Sequence, residues 1–181
     1  KMNLKLNYIW IILWCVIFVL GIKFNVSDVL ANKGIYVIEN QYYRFFTGLL
    51  VHANIVHLVA NMVVLYFIVD FLDGQINSLK LFVFSIVVGT LSNFIFSMIY
   101  QESVSVGGSP IIFAMLGLLI ALQLQSKEVV RFTLESLQGK WIVGYAILSN
   151  IPFISGNSST LLIHGISLIL AFLIASVSLK F

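Results

Sequence analysis

The sequence predicts an all-α polytopic membrane protein: a bundle of six transmembrane helices with both termini in the cytoplasm. Three observations predict it. Of the 181 residues, 60% are hydrophobic and 9% are charged, against about 25% charged in soluble domains, and the mean hydropathy is +1.06. A chain of this length cannot hide so much apolar surface in a water-soluble core, so lipid is its natural solvent. The apolar residues fall into six runs, at 7–23, 50–69, 79–100, 109–125, 140–156 and 160–179, each near the roughly 17–25 residues that cross the hydrocarbon. Finally, six spans place Lys1, Lys5, Lys80, Lys127, Arg131, Lys140 and Lys180 on the side of the termini, and only Lys23, Lys33 and Arg44 on the other. The positive-inside rule assigns the richer side to the cytoplasm.

Each run has its own reading. The first follows Lys1 and Lys5 and imitates a signal peptide, but no small-x-small cleavage site follows it cleanly, so it is kept as a helix. Residues 24–48 form a long outer loop that carries QYYRFFTG and is expected to hold short helices at the membrane interface. The third and sixth runs are the cleanest, and the fourth and fifth are short or interrupted. No internal repeat or linker divides the chain, so residues 1–181 are expected to form one domain. Cys15 is the only cysteine, which excludes an intramolecular disulfide. The pI near 9.0 reads as membrane orientation; the expected partner is the lipid bilayer, with no nucleic acid.

Polar side chains inside spans are costly and mark function. His52, His57 and His164 all lie near the outer ends of the second and sixth runs. In HANIVHLVANM, His57 and Asn61 are four apart and share a helical face. Below His164 come Ser167, Ala171 and Ala175, and below Ser109 come Phe113, Gly117 and Ala121. Such small-residue ladders let helices approach closely. Packing the two faces together would bring Ser109 to His164, a nucleophile and a general base, with His57 and Asn61 as donors for a developing oxyanion. Each feature also has a plainer reading. Ser109 before Pro110 makes a helix N-cap, His164 suits an interfacial histidine with a backbone partner, and His57 with Asn61 suits an interhelix hydrogen-bond pair. His57 and His164 as haem or quinone ligands are a further rival. A histidine and amide set without carboxylate or thiolate makes a poor zinc site, so no metal or cofactor is expected.

From about residue 40 to its end the chain resembles the rhomboid family of intramembrane serine proteases. HANIVHLVANM matches the family's second span through His52, His57 and Asn61. GGSPIIFAMLG matches its nucleophile motif, Gly-x-Ser-Gly, through Gly107 and Ser109, with an aromatic, Phe113, four residues on; Gly108 fills the variable place. His164 matches the base histidine of the sixth span, and Tyr43-Arg44 stands where the family often has Trp-Arg. The resemblance implies a Ser109–His164 dyad, an oxyanion held by His57, Asn61 and the Ser109 amide, and Phe113 stacked on His164. It implies Gly107 and Gly108 as loop positions close to substrate, and substrates with one span, cut near the outer face at a small residue. It also implies the six-span bacterial form, a multi-pass protein of the plasma membrane. Two departures stand out. Pro110 replaces the second glycine of the motif, and Ser167 and Ala171 replace glycines of the sixth span. Proline lacks an N–H, so an inactive relative that binds membrane proteins without cutting them is the alternative.

Overall fold

The structure, a computed structural model, describes residues 6–34, 40–151 and 159–178. A single 3-10 turn, Leu6–Tyr8, leads into α1 (Ile9–Lys23). The first loop holds α2 (Val26–Leu30), β1 (Asn32–Lys33) and α3 (Arg44–Thr47). Then follow α4 (Ile55–Leu72), α5 (Ser78–Ile99), β2 (Val104–Ser105), α6 (Ser109–Gln125), α7 (Leu137–Leu148) and α8 (Ser159–Ser178). Among the described residues, four helical segments are long and apolar enough to cross a membrane: Leu6–Lys23, α4, α5 and α8. The fourth apolar run is the 17-residue α6, and the fifth contains the 12-residue α7. Residues 152–156 of the fifth run lie outside the described residues, as do both chain ends.

Helix boundaries depart from the apolar runs where a polar cap intervenes. The second run opens at 50, yet α4 opens at Ile55, because Asn54 is extended and its Oδ1 accepts from the His57 N–H. An N-cap side chain of this kind satisfies one of the four backbone donors that a helix start leaves unpaired. Ser136 Oγ does the same for the Gly139 N–H and starts α7 three residues before the fifth run.

A helix that is apolar all round belongs inside a bundle. Helix α6 is such a helix, with buried residues on every face from Ser109 to Leu122. Its closest partner is α8, and α5 packs against both. The buried residues of α8 are Ile163, His164, Ser167, Ala171 and Ala175, one stripe at helical spacing. That stripe is the small-residue ladder of the sequence, and it meets α6 at Gly117. A Cβ at position 117 would lie 2.3 Å from the Leu168 carbonyl oxygen and 2.7 Å from Ala171 Cβ. Helix α1 is held by Trp10 and Trp14, both fully buried, and Trp14 Nε1 donates to the Leu49 carbonyl at 3.0 Å.

The first loop is fastened to the bundle by buried polar groups. Asn32 Nδ2 donates to Ser97 Oγ and Ser105 Oγ at 3.1 and 2.9 Å. Asn93 Nδ2 donates to the Phe45 carbonyl at 2.8 Å, and Arg44, also buried, donates to the Ala31 carbonyl. Strands β1 and β2 pair antiparallel, Asn32 opposite Ser105, so the loop is tied to the segment that leads into α6. The short helices expected in this loop are α2 and α3; residues 35–39 lie outside the described set.

Gly117 and Gly144 give a direct test of the α6–α8 contact. Gly117→Ala sets its methyl against a backbone oxygen that cannot swing aside, and should destabilise the protein by about 1–3 kcal/mol. Gly144→Ala meets nothing within 4 Å and should be neutral, or stabilising by up to about 1 kcal/mol through helix propensity. Unfolding of the purified protein in detergent measures both, and equal stability of the two variants would contradict the packing.

Candidate active site

The polar groups at the start of α4 form a chain that reaches the loop before α6. His52 precedes α4 in the loop between α3 and α4. Its Nε2 lies 3.3 Å from the Gly108 amide nitrogen and 2.9 Å from Asn61 Nδ2. A backbone N–H can only donate, so His52 Nε2 is an acceptor and the ring proton sits on Nδ1. Asn61 therefore donates through Nδ2, and its Oδ1 accepts from the Tyr145 hydroxyl on α7. Asn61 is wholly buried. Burial first, and the neighbouring His57 second, hold His52 at about 3 against the ordinary 6.5, with the Leu50 backbone offsetting a smaller part. Nδ1 reaches hydrogen-bond geometry with no described residue, so that Leu50 contact is a loose one. Trp14 and His57 each meet the His52 ring in an edge-to-face arrangement, at 5.1 Å between centroids.

The two glycines before Ser109 are required by these same rings. Gly107 has φ +131°, in the region that side chains avoid, and a Cβ there would lie 2.6 Å from His57 Cε1. A Cβ on Gly108 would lie 2.0 Å from Trp14. The glycines thus admit the protein's own His57 and Trp14 against the loop backbone. The Gly107 N–H donates to the Gly48 carbonyl at 3.1 Å, which pins the loop to the end of α3.

Ser109 is the first residue of α6, and Gly108 occupies the cap position, without a side-chain cap bond. The N-cap reading of Ser109 is therefore corrected by one residue. The Ile111 and Ile112 N–H groups turn back to the Gly108 carbonyl, so a serine cap is not needed. Pro110 falls at the second helical position, where its missing N–H is one the helix start leaves unpaired in any case. Among the described residues, neither the Ser109 N–H nor its Oγ has a hydrogen-bond partner.

His164 is buried in the first half of α8. Phe113, one turn below Ser109, stacks on its ring at 4.1 Å between centroids and 12° between planes. His164 Nδ1 lies 2.8 Å from Oδ1 of Asn150, just beyond α7. Its Nε2 makes no hydrogen bond to a described residue, and none joins it to Ser109. Ser109, His164 and His57 nevertheless line one cavity of about 900 Å³, together with Gly107, Pro110 and Tyr145. His52, Gly108, Asn61 and Phe113 do not line it.

The model of the Rhomboid domain family matches residues 39–178. The chain belongs to the rhomboid family. A comparison with curated proteins returned no match. Rhomboid family members are in general intramembrane serine proteases, and the family together with the apolar helices makes this a multi-pass membrane protein that fits a lipid bilayer. Sequence reasoning missed three polar contributors to this rhomboid site, Trp14, Tyr145 and Asn150. Asn150 carried a signal, since it is an amide inside an apolar run, the same reason for which Asn61 was singled out.

His52→Phe keeps a ring against Trp14 but removes the acceptor of the Gly108 N–H and Asn61 Nδ2. Each donor left unpaired in the interior costs about 1–3 kcal/mol. The parent should also lose stability as pH falls from 6.5 toward 3, because unfolded His52 takes up a proton there and folded His52 does not, with a slope of up to about 1.4 kcal/mol per pH unit from this residue. Unfolding midpoints between pH 7 and 5 measure it: His52→Phe should be less stable than the parent at pH 7 and less sensitive to acid. An unchanged slope would remove His52 as its source.

Proposed function

We propose that this rhomboid family member is an intramembrane serine endopeptidase with a Ser109–His164 dyad. In the proposed reaction Ser109 Oγ attacks the peptide carbonyl carbon while its proton passes to His164 Nε2. The C–O bond forms, and the carbonyl oxygen takes the negative charge. The Ser109 N–H and His57 are the donors for that charge; Asn61, which does not line the cavity, is bonded to His52 and Tyr145. Collapse of the intermediate breaks the C–N bond, and His164 returns its proton to the leaving amine. Water, activated by the same imidazole, then hydrolyses the acyl-enzyme.

The observation that carries this reading is the shared cavity. One nucleophilic hydroxyl and one imidazole nitrogen, both without protein partners among the described residues, face the same space. The Ser109 N–H, at the start of α6, is left unpaired among the described residues and is available as a donor. Catalytic hydrogen bonds are often long in a free enzyme and tighten with substrate, so the missing Ser109–His164 bond is compatible with the dyad.

The finer parts of the proposal are a single domain, six spans with α6 and α7 as the fourth and fifth, cytoplasmic termini, a cell-membrane location, and single-span substrates cut near the outer face. A helical substrate must unwind locally there, since a helix in lipid has its peptide bonds tied up in its own hydrogen bonds.

A fluorophosphonate probe on the detergent-purified protein tests the dyad. It should label the parent at Ser109, and neither Ser109→Ala nor His164→Ala should be labelled or cut a single-span reporter. Because the two residues act as one unit, the double variant should be no worse than either single one. Undiminished cleavage by Ser109→Ala would refute the mechanism, and an unlabelled, inactive parent would favour the binding-only relative.

Orientation is tested with single cysteines at Ser103 and Lys127 in a Cys15→Ala background. A membrane-impermeant thiol reagent on intact cells should label the first and spare the second. Labelling of both, or of Lys127→Cys alone, would overturn the proposed topology.

A further inference from the structure

We propose that Asn150 is a positioning residue that fixes the His164 ring in the tautomer with its proton on Nδ1 and thereby leaves Nε2 bare toward the cavity. The inference rests on the Ser–His dyad proposed above and adds a third member to it. The hydrogen-bond network around Asn150 carries it.

Asn150 Nδ2 donates to the Ala146 carbonyl, four residues back on α7, at 2.7 Å. A carbonyl oxygen can only accept. Turning the amide over would set Oδ1 against that oxygen, two acceptors in contact, so the amide has one orientation in which both its ends are satisfied. In that orientation Oδ1 faces His164 Nδ1 at 2.8 Å. An amide oxygen has no hydrogen to give. The hydrogen must therefore come from His164, and a neutral imidazole with a proton on Nδ1 has none on Nε2. The Ala146 carbonyl thus decides, through one amide, which ring nitrogen of His164 can take a proton.

Phe113 completes the constraint from another direction. Its stack on the ring face at 12° fixes the ring plane but accepts equally the ring turned over by 180° about Cβ–Cγ. The Asn150 bond lies at the ring edge and selects one of the two. Face and edge together leave the imidazole one position, with Nε2 on the opposite edge.

The test combines a tautomer measurement with kinetics. Nitrogen-15 NMR of the histidine-labelled full chain in micelles, with His164→Ala to identify the signal, reads the protonated nitrogen directly. The parent and Ser109→Ala should both show His164 as the Nδ1–H form. Asn150→Leu, of similar shape but without an acceptor, should give a mixture of tautomers, and kcat on the single-span reporter should fall roughly 10- to 100-fold, part of what a general base contributes, with KM within about twofold. Asn150→Asp sets an oxygen against the Ala146 carbonyl but still offers an acceptor to Nδ1–H, so it should keep the tautomer and a higher rate than Asn150→Leu, which a purely structural role would not produce. It also serves as the decisive variant should Asn150→Leu fail to fold. An Nε2–H signal in the parent would overturn the proposal, as would an unchanged tautomer in Asn150→Leu or a mixture in Asn150→Asp. The NMR readout needs no turnover: an inactive parent whose tautomer follows position 150 counts against the protease reading and leaves the positioning role standing.

Discussion

A Cβ at position 117 would sit 2.3 Å from the Leu168 carbonyl oxygen, so α6 and α8 touch backbone to backbone at that point. That touch sets the level of everything above it. Phe113 meets His164, and four residues further along both chains Gly117 meets Leu168. Equal steps along both helices mean that they run parallel and in register. Ser109 stands eight residues above Gly117, about 12 Å at the helical rise, and His164 stands four above Leu168, about 6 Å. His164 is thus level with Phe113, one turn below Ser109, and both helices count those heights from the same contact. A bulkier residue at 117 would spread the helices, and the error would grow toward the site.

The parts of this arrangement legible in the sequence are those that repeat along one helix. Gly117, Ala121, Ser167, Ala171 and Ala175 recur at four-residue steps, and they are the faces that pack. The apolar runs located the helices for the same reason. Their ends were less legible. Asn54 and Ser136 start α4 and α7 by accepting a single backbone hydrogen each, and a count of apolar residues does not register one hydrogen bond.

The candidate site divides in the same way. His57 and His164 were readable because imidazoles are expensive in a span, and Ser109 because it stands between a glycine pair and a proline at the mouth of an apolar helix. What they bond to was not. Tyr145 meets Asn61 across 84 positions of chain, and Trp14 meets the Leu49 carbonyl across 35. Partners of that kind follow from how helices lean together and leave no periodic trace. The glycines of GGSP show the difference plainly. Their presence was legible, but the rings of His57 and Trp14 that demand them were visible only in three dimensions.

The shortness of α7 has a consequence for the lipid itself. Twelve residues make a helix about 18 Å long, against roughly 30 Å of hydrocarbon. A helix that short covers only part of that thickness. Where lipid meets α7 alone, acyl chains shorten or splay, at a fraction of a kcal/mol per Å. Trp141 and Gly144 of α7 line the cavity, so such thinning falls on the cavity's flank. A dimple of this kind carries headgroups and their water toward the depth of Ser109, and hydrolysis in the interior of a membrane needs that water.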